Sequence, residues 1–211
     1  MRSPRLAVVS AVAVAAISAA AVAASLSPGP DTARGFAVLG FDYSMNARLS
    51  GALAADGVLM SPPVKASKAF TIQKYCTFFD DPQKQSQIQY CTSTELQDAG
   101  GRFLGNIHMV GTPENPRLVI TMLEARPGET DTVSAVFDTV IDNTVCECWE
   151  DAAPDGFSTV SEWVAAMADF HRQASEQVTA KSDVLTMHGV RIQSELTPIE
   201  GAHVWKLFVA G

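Results

Sequence analysis

The sequence predicts an α+β fold: an antiparallel sheet of hairpins with two helices packed on one face, in a single domain. Three observations carry this expectation. Apolar residues recur at three and four between Val133 and Val145, and again from Val160 onward, which is the period of an amphipathic helix. Alternating, β-branched segments separated by Gly, Pro and Asn lie on both sides of that helical pair, the pattern of hairpins. The chain has 211 residues, 47% hydrophobic and 18% charged. That is enough for one well-filled core, and it excludes collagenous, low-complexity and highly charged disordered chains.

The N-terminus reads as an address. Arg2 and Arg5 form a positive head, and residues 6–24, from Leu6 to Ala24, carry no charge. Small-x-small frames at Ala21-Val22-Ala23 and Val22-Ala23-Ala24 close the run, and Ser27-Pro28-Gly29-Pro30 follows. This is the layout of a secretory signal peptide over residues 1–24. The rival is a retained anchor, since about 20 apolar residues can span a bilayer. The run holds ten Ala but one Leu and one Ile, so it inserts weakly and cleavage is the favoured reading. Removing Arg2 and Arg5 leaves 13 basic against 23 acidic residues, a mature charge of −10. No nucleic-acid partner is expected of so acidic a surface, and a membrane contact only if residues 6–24 are retained.

The mature chain is read in order. Residues 25–34 form a flexible tether, and residues 35–211 the single domain. Residues 35–43 (GFAVLGFDY) read as a buried strand. Ser44 caps a short helix carrying Met45, Leu49, Ala52 and Leu53 and ending at Asp56-Gly57. Ser61-Pro62-Pro63 is a loop. Residues 70–79 (FTIQKYCTFF) are β-rich, Asp80-Asp81-Pro82 is a turn signal, and a strand pattern resumes at Ile88, giving a first hairpin. A second pairs residues 102–110 with 117–125 around Gly111-Thr112-Pro113-Glu114-Asn115-Pro116. The helical stripe Val133, Val136, Phe137, Val140, Ile141 and Val145 follows, with Asp131 at its start. Asp155-Gly156 turns the chain, and Thr159 with Glu162 reads as a capping box. The helix behind that box buries Val160, Trp163, Val164, Met167, Phe170 or His171, Ala174 and Val178. Residues 183–187, 190–196 and 203–209 are three closing strands.

Four cysteines, Cys76, Cys91, Cys146 and Cys148, are an even set in an exported chain, so disulfides are the default. If the first hairpin centres between Gln83 and Lys84, Cys76 faces Cys91 and leaves Cys146 to Cys148. A Cys-x-Cys bridge closes a very small ring and is more easily reduced than an ordinary one. The alternative is crosswise, tying the hairpin to the helical region. The flanking Glu147, Glu150 and Asp151 disfavour a thiolate and so a reactive thiol. A four-sulfur metal site lacks the usual knuckle spacing, and no metal or cofactor is expected.

No Gly-x-Ser-x-Gly elbow, zinc helix, phosphate loop or dinucleotide fingerprint is present. The acidic stretch around Glu150 and Asp151 lacks calcium-loop spacing. Alternation puts Arg102, Asn106 and His108 on one strand face, a polar row able to hold an anionic or hydroxylated ligand, against the plainer reading of a wet sheet face. His171 borders a helix stripe, His188 precedes Gly189 in a turn, and His203 alternates with Trp205 and Leu207. Phe70, Tyr75, Phe78, Phe79 and Tyr90 crowd the first hairpin, either sandwiched between layers or forming a docking face. The leading expectation is an exported, disulfide-stabilised, non-catalytic binding or envelope-assembly module with an unknown protein or small-molecule partner. The alternatives are an exported enzyme and a membrane-tethered accessory subunit. The enzyme would be a dispersed His/carboxylate hydrolase or a thiol–disulfide protein using Cys146 and Cys148.

Overall fold

The computed structural model describes residues 42–174 and 178–211; the expected signal peptide, tether and nearly all of the 35–43 strand lie outside them. The chain runs α1 (Met45–Ala55), β1 (Val58–Met60), β2 (Val64–Ala66), α2 (Ala69–Tyr75), α3 (Pro82–Ser86), β3 (Cys91–Asp98), β4 (Phe103–Gly111), β5 (Pro116–Ala125), α4 (Asp131–Thr144), α5 (Trp149–Ala152), a 3-10 turn (Pro154–Gly156), α6 (Val160–Ala174), β6 (Ala180–Lys181), β7 (Leu185–Met187), β8 (Val190–Ile199) and β9 (Ala202–Ala210). The nine strands form one antiparallel sheet ordered β1-β3-β4-β5-β9-β8-β6, with β2 also on β3 and β7 also on β8. The α+β class and single domain are those read from the sequence.

Register explains the two faces. Residues directly opposite each other share a face, so Thr92, Met109, Val119, Val209 and Ile192 form one row, and Ile107, Thr121 and Leu207 the next. Against this face pack the helical stripes: Val133, Val136, Phe137, Val140 and Ile141 of α4, and Val160, Trp163, Val164 and Met167 of α6. Helix α1 adds Met45, Leu49 and Leu53 to the same core. The α6 start is capped as its sequence predicts, with Thr159 Oγ1 accepting from the Glu162 N–H at 3.1 Å. The Glu162 carboxylate reaches one residue further back, accepting from the Ser158 N–H at 2.8 Å. His171 rather than Phe170 turns inward: His171 is buried and Phe170 is exposed. Ala174 and Val178 are exposed, so the buried stripe ends at His171.

The first hairpin is a correction. Residues 69–75 are helical, as are 82–86, and β3 begins only at Cys91. The aromatic, β-branched composition of 70–79 is overridden because the edge it would join is occupied: β1 and β2 already pair with β3. A seven-residue helix closes its own backbone bonds instead, with Thr71 Oγ1 accepting from the Lys68 N–H at 3.1 Å. The two edge strands are one strand interrupted at Ser61-Pro62-Pro63. Proline cannot donate there, and Ser61 bridges the gap, accepting from the Glu95 N–H through Oγ and donating its own N–H to Glu95 O, both at 2.9 Å.

Residues 67–90 cross the second face of the sheet and bury a smaller core there: Ile72, Cys76, Phe78 and Ile88 against Cys91, Val110, Leu118, Ile120 and Phe208. A β-bulge where Leu96 pairs with Gly105 and Gln97 with Phe103 leaves Leu104 unpaired and shifts the alternation of β4. Gly105 is required at this point, since it has φ +153° and a Cβ there would overlap the Met122 carbonyl.

Candidate functional site

The second face supplies two adjoining rows: Ser93, His108, Ile120, Phe208 and Gln193, then Glu95, Asn106, Met122, Lys206 and Glu195. The crossing segment covers the first row and leaves the β9–β8–β6 end of the second open. Its roof is held by Gln85, whose Oε1 accepts from the Phe78 and Phe79 N–H groups at 3.2 Å and whose Nε2 donates to Cys76 O at 2.7 Å. A cleft of about 140 Å3 results, with Phe79 and Phe208 at one wall and Lys181, Glu195 and Lys206 below. The Phe79 and Phe208 rings are parallel within 7°, centroids 6.4 Å apart.

Lys206 is the unusual residue. It is 6% exposed, and a buried ammonium is costly unless its donors and charge are met. Its Nζ donates to Phe78 O at 3.2 Å, and its partner carboxylate, Asp80 at 3.7 Å, is solvent-exposed. An ammonium has three donors, so a further acceptor can be taken at the cleft floor. Glu195 is engaged by Lys181 at 2.6 Å.

The three residues of the expected polar row do not act together. Asn106 and His108 share the second face, but His108 is buried beneath Phe78, ring centroids 5.1 Å apart. Burial pushes its pKa down to about 4, and its Nδ1 has no hydrogen-bond partner. Asn106 is half-buried, and Arg102 lies in the turn before β4, its Nε donating to Asp98 at 2.9 Å. The fault in the expected row is the bulge, which breaks strict alternation between Arg102 and Asn106. Lys206 and Glu195 were not singled out from the sequence, and Phe79 was read only as one of the rings crowding the first hairpin. The three come from distant segments, and the only cue was a lysine alternating with Trp205 and Leu207 in an apolar strand.

The cysteines pair as Cys76–Cys91, with Cα atoms 6.5 Å apart, and Cys146–Cys148, with Cα atoms 5.2 Å apart; the crosswise alternative is set aside. Each bridge has a histidine beside it. His108 stands with Cys76 and Cys91, all buried, and His188 with Cys146 and Cys148, where the cysteines are half-buried and the histidine exposed. In both sets the sulfurs and one ring nitrogen lie within 4.8 Å of one another. Bridged sulfurs offer no thiolate, the form that binds metal. His188 is held by a two-residue turn joining β7 to β8, with positive φ at His188 (50°) and Gly189 (81°). The neighbouring helix end is acidic: burial, Asp138 and Glu147 raise the Asp142 pKa to about 6. His171 and His203 also meet, edge to face at 5.1 Å.

Two disulfides fit an oxidising, exported environment, and among the described residues no helix is long and apolar enough to cross a membrane. No family model, curated protein or solved structure matches the chain.

Proposed function

We propose that this is an exported, disulfide-stabilised binding module whose cleft takes a small ring-bearing carboxylate. The observation that carries the reading is Lys206, a buried ammonium at the floor of an apolar-walled cleft with donor capacity to spare. The size of the cleft limits the ligand. A cavity of about 150 Å3 accommodates benzene, and drug-sized ligands need roughly 300 Å3 or more, so about 140 Å3 suits one ring. The ring would sit against Phe79 and Phe208 and the carboxylate on Lys206, a charge-assisted bond in a partly dry site. Titrating the protein with phenylacetate, followed by amide chemical shifts, tests this. Saturable shifts in β8 and β9 that vanish in Lys206→Met, with the fold intact by circular dichroism, are expected. Shifts that persist in that variant, or none in the parent, sink the reading.

A further inference from the structure

We infer that Cys146, Cys148 and His188 form a thiol–disulfide exchange site whose electron partner is a dithiol. The site is independent of the cleft, lying at the junction of the α4 end, the start of α5 and the β7–β8 turn. A bridge between residues two apart in sequence closes almost no chain, so it constrains the unfolded state little and serves the fold poorly as a staple. Both cysteines are only half-buried and the histidine beside them is exposed, and access is the first requirement for exchange. The acidic surroundings of Glu147 and Asp142 disfavour a thiolate, so a leaving cysteine sulfur has to be protonated as it departs. The His188 imidazole lies within 4.8 Å of both sulfurs and is able to do this.

The exchange balances as follows. One thiol of the partner gives its proton to the His188 imidazole, and the thiolate attacks one bridge sulfur. The Cys146–Cys148 S–S bond breaks, its electron pair leaves on the other sulfur, and the imidazolium returns the proton to that sulfur. The partner's second thiol then attacks the mixed disulfide, releases the remaining cysteine as a thiol, and leaves the partner as a disulfide. Two electrons and two protons pass from the dithiol to the two cysteines. A monothiol is a poor partner, because the released cysteine sits two residues away and recloses the bridge at high effective concentration.

The test uses the full exported chain, dithiothreitol as the dithiol, iodoacetamide quenching at timed intervals, and mass spectrometry of the cysteine peptides. Cys146 and Cys148 are expected to be alkylated while Cys76 and Cys91 remain bridged. Prior or simultaneous opening of Cys76–Cys91, or no opening without denaturant, overturns the inference. His188→Asn is expected to slow opening about tenfold, less than positioned proton transfer usually contributes, because water at this half-open site can also carry the proton. Asparagine tolerates positive φ, and His188→Gly carries the same readout if the Asn variant fails to fold. An unchanged rate in the folded variant overturns the role of His188, because a merely accessible bridge would open as fast without it.

Discussion

Two Cys–Cys–His constellations stand in this protein, one under the crossing segment and one beside the β7–β8 turn, and the contrast between them separates a staple from a site. Cys76–Cys91 spans fifteen residues, ties the crossing segment to the sheet, and has both cysteines and His108 buried. Cys146–Cys148 spans two residues, ties nothing distant together, and meets solvent with His188 exposed beside it. The same three atom types are present in each. What differs is the length of chain closed, which sets the contribution to stability, and access, which sets reactivity.

The sharpest way to break that comparison is to remove the buried bridge. Cys76→Ser with Cys91→Ser should cost about 4 kcal/mol, of which about 3 kcal/mol is loop closure and the rest the burial of hydroxyls in an apolar pocket. The urea midpoint measures this, and a cost below about 1 kcal/mol would put the two bridges on a par.

Acid should act on the same region, with a nearly comparable effect. The His108 pKa is about 4 in the folded chain, below the roughly 6.5 of an unfolded one. The unfolded state therefore binds the proton first. The stability associated with neutral His108 is fully present above about pH 6.5 and is lost as pH falls toward 4, by about 3 kcal/mol in total. Urea titrations at pH 7 and 4.5 should show this loss in the parent and a much smaller one in His108→Gln. An equal loss in both would mean that other groups carry the acid response.

The smallest effect is expected at the exposed bridge. Cys146→Ser with Cys148→Ser should cost about 1.5 kcal/mol or less, because so short a loop removes little entropy from the unfolded chain. Thermal unfolding of the two double variants side by side gives the ratio directly, and a cost equal to that of the buried pair would remove the distinction.

Elements whose period is set by a single buried face were legible from the residues. The α4 and α6 stripes repeat at three and four because one side of each meets the sheet. The β4–β5 hairpin is marked by Gly111, Pro113, Asn115 and Pro116, and the β7–β8 turn by His188-Gly189. Residues 69–75 were not legible, since their strand-like composition is overruled by an edge that two other strands occupy. The cleft was hidden for a different reason: Phe79, Lys206 and Glu195 adjoin only through the register of β8 on β9 and the bond network of Gln85. His188 lies some forty residues from Cys146 in the chain, and no local pattern announces their meeting.

The broken outer strands have a consequence beyond pairing with β3 and β8. At one rim the sheet ends in two three-residue pieces separated by Pro62 and Pro63, and at the other in pieces of two and three residues, β6 and β7. Among the described residues, neither rim presents a long row of free amides onto which a neighbouring molecule could dock by strand addition, a route to aggregation in sheet proteins. A nine-stranded sheet thus guards its own margins by keeping them short.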